Sequence, residues 1–261
     1  MLTKLMKYEL KATSRLLIPL YLILLLLSVI NRFVFKLNDY DGIAKFINVF
    51  FMASYIILIF VVLIVTVIYM IVRFYKNLLT DEGYLMFTLP TKSHQLITSK
   101  LLITVLWTIL SIAVILLSLF IAFAKPDSMP AIIDGIRQTM LSINRDFGGN
   151  SVLFIIEVVI MCLLSLVSNI LLIYVSIALG QLFSKHKIIG SFAAYMAIYT
   201  VIQFLMLMLF GTLGVYTSNK PDIALLFPKV FFPLVILMLI IMGVGCYIGT
   251  NYIFKRKLNL D

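Results

Sequence analysis

The chain has 261 residues, is 63% hydrophobic and 12% charged, and has a mean hydropathy of +1.14. Soluble domains are roughly half apolar and about a quarter charged, so this composition excludes a water-soluble globule and indicates an integral membrane protein. The formal charge of +10 is the Lys and Arg excess that membrane topology demands, and it does not imply a nucleic-acid partner.

The first element is "MLTKLMKYELKATSR". Lys4, Lys7, Lys11 and Arg15 fall within about 80° of a helical wheel, with Leu2, Leu5, Met6 and Leu10 opposite. A basic amphipathic helix along the cytoplasmic interface is expected, turning into the bilayer afterwards. Glu9 lies in its apolar face, where a carboxylate would have to sit in lipid; a partner surface or the neighbouring loop is the expected neighbour. No small-residue cleavage site follows the first apolar run, so a cleavable signal is not expected.

A helix needs about 20 apolar residues to cross the hydrocarbon. Six stretches qualify, near Leu16–Phe35, Phe46–Val72, Leu101–Ala124, Ser151–Leu179, Ile188–Thr212 and Val230–Thr250. Asn31 and Arg32 interrupt the first, and Arg32 can snorkel to the interface. The second exceeds a bilayer crossing, so it tilts or projects. Six crossings put both termini on one side, which carries thirteen Lys and Arg against eight on the other. That side is the cytoplasmic one. The 26-residue segment Lys125–Asn150 is expected to be an outer loop holding basic residues.

Between spans two and three lies "TDEGYLMFTLPTKSHQLITSK", Thr80 to Lys100. Thr80 can cap a short helix, Asp81 and Glu82 suit its positive end, and Pro90 stops it after Leu89. Tyr84, Leu85, Met86 and Phe87 make it apolar all round, yet at about two turns it is too short to cross a bilayer. Such an element is normally buried, either dipping into the interface or seated in the groove of another protein.

"DEGYLMFTLP" and "HQLITSKLL", with the opening "LMKYELKATSR" and the ending "IFKRKLNL", resemble the permease subunits of ABC-2 type transporters of low-GC Gram-positive bacteria. The resemblance covers the whole chain. It implies an all-α membrane fold: one transmembrane domain over 1–261, with six spans, an N-terminal interfacial helix and a cytoplasmic coupling helix. It further implies a separate ATPase subunit that binds ATP and Mg and receives the coupling helix, with Glu9, Asp81, Glu82, Tyr84, Leu85, Met86, Phe87, Leu89 and Pro90 at that contact. A second copy, or a related permease, would complete the path in the plasma membrane. Export of an amphipathic or hydrophobic substrate, such as an antimicrobial peptide, is what relatives of this kind do. The modest segment Leu213–Lys229 argues against a large sugar cargo. A non-transporting scaffold or sensor, recruiting some other cytoplasmic protein through residues 80–100, remains the alternative.

In the fourth span Glu157, Ser165, Ser168, Asn169 and Ser176 lie within about 120° on a wheel. This stripe either lines a pathway or packs helices together. Gln203 in the fifth span reads as helix glue. Gly245 and Gly249 in the last form a small-xxx-small pair that permits close helix approach.

No phosphate-cradling glycine loop is present, and His94 and His186 are the only histidines. With Cys162 and Cys246 inside apolar runs, no metal site, cofactor site or disulfide framework is expected. Catalysis by the chain itself is not expected.

Overall fold

The computed structural model describes residues 2–34, 42–79, 93–124, 129–183, 186–217 and 227–256. These form seven α-helices: α1 Leu2–Val34, α2 Ile43–Leu79, α3 Ser93–Phe123, α4 Met129–Phe147, α5 Ser151–Gly180, α6 Lys187–Thr217 and α7 Phe232–Arg256. A 3-10 turn, Gly148–Asn150, joins α4 to α5, and a π turn, Phe227–Phe231, leads into α7. Six of the helical stretches are long and apolar enough to cross a membrane. Long unbroken helices are what an apolar solvent imposes, because each backbone N–H and C=O must find its partner within the helix. The chain is thus a multi-pass, helical membrane protein.

Two departures from the sequence-based expectation stand out. The expected turn between the amphipathic N-terminal stretch and the first span is absent, and α1 is a single helix of 33 residues. The reason lies in its buried face. Glu9, Thr13, Leu17, Tyr21, Leu24, Ser28 and Asn31 are all buried, at steps of three or four residues. One stripe therefore runs from the basic segment into the span, and the helix carries Pro19 within it without ending. Lys4, Lys7, Lys11 and Arg15 are exposed on the other side. The second departure is the expected outer loop 125–150, much of which is the 19-residue helix α4.

The chain packs as two compact units. One comprises Met1–Arg73 and Thr98–Gly135, the other Phe74–Ile97 and Ile136–Asp261. In the first, Leu17, Tyr21 and Leu24 of α1 pack with Tyr55, Val62 and Met70 of α2 and with Ile103, Trp107 and Ile115 of α3. Large apolar side chains such as Phe60, Ile64, Leu116 and Phe120 point outward and are exposed, as a lipid-facing surface requires.

In the second unit α5 packs against both α6 and α7. Phe74 stacks face to face on Tyr174 with ring centroids 3.7 Å apart, and Phe254 lies 6.1 Å from Phe74. The close approach of α7 to α5 uses Gly243 and Gly249. A Cβ at Gly243 would lie 3.1 Å from Ser168 Oγ, and one at Gly249 would lie 3.2 Å from Val175 Cγ2. Gly245 meets nothing within 4 Å and is exposed. The small-residue pair that touches a neighbouring helix is thus 243/249, not 245/249. Gly249→Leu should lower the thermal stability of the detergent-solubilised protein by about 1–3 kcal/mol through overpacking. Gly245→Leu should leave it unchanged; equal effects of the two would contradict this packing.

Candidate functional site

The site is built at the end of α1, α2 and α3 that borders residues 80–92. Glu9 on α1 is 6% exposed. Its Oε1 accepts a hydrogen bond from Lys100 Nζ of α3 at 2.6 Å, and its Oε2 accepts one from Arg73 Nε of α2 at 2.6 Å. Lys100 is buried, and the Arg73 side chain keeps 21% of its surface. One carboxylate thus pairs with two cations, leaving the triad one net positive charge, and both of its oxygens are held. Charged groups this far from water persist only when paired and hydrogen-bonded. Of the two neighbours expected for this carboxylate, a partner surface or the neighbouring loop, the described residues show the second, because Arg73 and Lys100 are the two ends of the segment between spans two and three.

Arg73 precedes residue 80 on α2 and Lys100 follows residue 92 on α3, so Glu9 ties together the two helices that carry the intervening segment. Further shoulder contacts are made within the second unit. Ser93 Oγ donates to Asn251 Oδ1 at 3.0 Å, and Tyr247 Oη donates to the His94 carbonyl at 3.4 Å. Both fasten the start of α3 to α7. Asp81, Glu82, Tyr84, Leu85, Met86, Phe87, Leu89 and Pro90 lie outside the described residues.

Above the ion triad runs a ladder of buried polar contacts that sequence reasoning missed. Trp107 Nε1 donates to Thr13 Oγ1 at 2.7 Å, and Thr13 Oγ1 donates to the Glu9 carbonyl at 2.8 Å. Tyr21 Oη and Ser111 Oγ are 2.7 Å apart, and Ser111 Oγ lies 3.1 Å from Thr66 Oγ1. Tyr55 Oη pairs with Ser118 Oγ at 2.9 Å. Nearer the far end, Arg32 donates to the Ile121 carbonyl at 3.0 Å and Asn31 to the Phe51 carbonyl at 3.3 Å. Every rung joins two of the three helices of this unit or continues such a joint, which is how polar side chains hold helices together in lipid. The signal was present on α3, where Thr104, Ser111 and Ser118 recur seven residues apart beside Trp107.

The five polar residues of α5 do not form one continuous wall. Ser165 donates to the Cys162 carbonyl, Asn169 to the Ser165 carbonyl and Ser176 to the Leu172 carbonyl, all in their own helix. Ser168 is buried and donates to the Leu239 carbonyl of α7 at 3.0 Å. Asn169 is exposed, Ser165 is half-buried and Ser176 is buried. Glu157 Oε2 is enclosed, with no hydrogen-bond partner among the described residues. Gln203 donates to Tyr199 Oη one turn back at 2.7 Å on the exposed side of α6.

Among the described residues no three His, Cys, Asp or Glu side chains gather as metal ligands would. Comparison with protein-family models, with curated proteins and with solved structures finds no match to this chain.

Proposed function

We propose that the chain is the membrane-spanning permease subunit of an ABC exporter of the ABC-2 type, in the plasma membrane of a Gram-positive bacterium. A separate ATPase subunit, holding ATP and Mg, docks on residues 80–92, and a second copy of the chain or a related permease completes the path. The cargo is amphipathic or hydrophobic, an antimicrobial peptide being the representative case.

The observation that carries this reading is the clamp formed by Glu9, Arg73 and Lys100. A short docking segment transmits a push only if the helices on either side move as one piece. A buried carboxylate shared between the cations of α2 and α3 provides that stiffness and couples the motion to α1. Glu9 then serves by position, fastening α1 to the two helices that flank the docking segment in sequence. Nucleotide acts through its different affinity for two arrangements of the assembly, so the seat has to persist in both.

The test is co-purification of the tagged chain with the P-loop protein encoded beside it. Leu85→Asp together with Phe87→Asp would place two carboxylates in an apolar seat, which costs several kcal/mol. The ATPase recovered with the permease should then fall at least about tenfold, since tenfold is only about 1.4 kcal/mol. The variant should insert in the membrane as the parent does. Undiminished co-purification would overturn the docking role of this segment.

A further inference from the structure

Helix α4 connects the membrane-spanning helices α3 and α5, and none of its residues is buried. Its side chains are nevertheless sorted. Ile132, Ile133, Ile136, Met140, Ile143 and Phe147 fall within about 100° of a helical wheel, and the charged residues fall outside that sector. Leu141 is the one large apolar side chain outside it. Ile133, Ile136 and Met140 are each more than half exposed.

We propose that α4 is seated in the headgroup boundary of the bilayer, on the side opposite the N-terminus, with this stripe among the acyl chains. Three observations name lipid as the occupant. First, α4 does not continue the axis of α5. Gly148 has φ +53° and interrupts the helix, and Ser151 Oγ donates to Asn144 Oδ1 at 3.3 Å. Residues seven apart in a straight helix are separated by about 10.5 Å along the axis, so the chain bends here.

Second, the rotation of α4 is set by Phe147. Its ring stacks on Phe154 in the second turn of α5 with centroids 4.1 Å apart, and Phe154 in turn lies 5.5 Å from Phe232 at the start of α7. Phe147 belongs to the apolar stripe, so the stripe faces the side on which α5 enters the membrane. Val152, Leu153 and Ile156 in the first turns of α5 are exposed as well. Third, Asp134 and Asp146 balance Arg137 and Arg145, so the helix has no net charge to direct it to an acidic or a basic partner. Burial of the stripe by about 5–10 Å needs hydrocarbon alone and should occur on a neutral bilayer. The proposal is independent of any docked ATPase.

The experiment places a nitroxide, one site at a time, at 136, 138, 140 or 145 in the full chain, with Cys162 and Cys246 replaced by serine, in phosphatidylcholine vesicles. Labels at 136 and 140 should be relaxed by oxygen and several-fold less by a water-soluble nickel chelate than labels at 138 and 145. The pattern should persist in high salt and be unaltered by added phosphatidylglycerol. Nickel access at all four sites would overturn the proposal, since the helix would then stand in water. So would exclusion of both relaxers at 136 and 140, which means a protein cover, and spin–spin broadening there would identify that cover as a second copy. A requirement for phosphatidylglycerol would likewise overturn it. If the serine replacements prevent folding, a tryptophan at 136 in a Trp107→Phe chain gives the same decision. Lipids brominated high on the acyl chain should quench it, and absence of quenching would refute the lipid seat.

Discussion

Glu9→Ala should be the most damaging single substitution at this end of the first three helices, costing about 3–5 kcal/mol of stability, the range for removing one partner of a buried ion pair. The size follows from the geometry. Both carboxylate oxygens are engaged at 2.6 Å, and the alanine would leave Arg73 and Lys100 facing each other across an apolar gap. Glu9→Gln, isosteric but neutral, should also lose most of the stability because it keeps the shape and drops the charge. Replacing Glu9, Arg73 and Lys100 together with leucine and methionine should restore much of it, since an apolar set of similar volume often matches a buried ionic one. Denaturation of the purified chain in mixed detergent measures all three. A Glu9→Ala loss below about 1 kcal/mol, the range of an exposed pair, would mean that the triad is solvated and clamps nothing.

The triple replacement also separates folding from function. If the chain is the permease proposed above and the charges serve only to hold the helices, the apolar version should still recover the ATPase and transport as the parent does. If the clamp acts through its rigidity, the softer apolar contact should keep the subunits together while transport falls.

The second large effect is expected at Trp107, the only tryptophan. It is 3% exposed, and its ring lies 5.9 Å from that of Tyr21. Trp107→Ala should cost about 3–5 kcal/mol, because neighbouring helices relax only partly into the space left behind. Trp107→Phe removes the 2.7 Å bond to Thr13 and keeps most of the ring. It should cost about 0.6 kcal/mol, the average for an interhelical hydrogen bond in lipid. The ratio between the two variants is the informative quantity. Similar losses would show that the indole N–H, and not its bulk, is what the three helices need.

Much of the architecture could be read from the residues because lipid leaves a chain few options. A run of about 20 apolar residues has one plausible use, and all six such runs are long helices here. The oddity of Glu9 was equally visible, since a wheel puts it among leucines. Its partners were not. Arg73 and Lys100 sit on other helices, 64 and 91 residues away, and no periodicity within one helix announces a pair between two. The turn expected after residue 15 did not form because the Glu9 stripe and the Tyr21 stripe are the same stripe, which shows only when both are traced together. In α4, Pro130 and Gly135 punctuate the sequence as a loop would, and Gly148 follows at its end. The spacing of Ile132, Ile136, Met140 and Ile143 is helical, and it outweighs them. In α5 the polar wheel was correct as a pattern but could not show that Ser168 would face a carbonyl of α7 while its neighbours bonded to their own turns.

The separation of Glu9 from its partners bears on how the protein is made. When α1 forms, neither Arg73 nor Lys100 is in place, and the acid meets its first counter-charge with α2 and its second only with α3. The N-terminal segment must therefore wait in contact with water or headgroups until α2 follows, and both carboxylate oxygens are held only after α3 has been threaded into the bilayer. A nascent chain cut short of residue 98 would retain its first two helices in the membrane, with the N-terminal segment held through Arg73 alone and more open to protease than in the full chain.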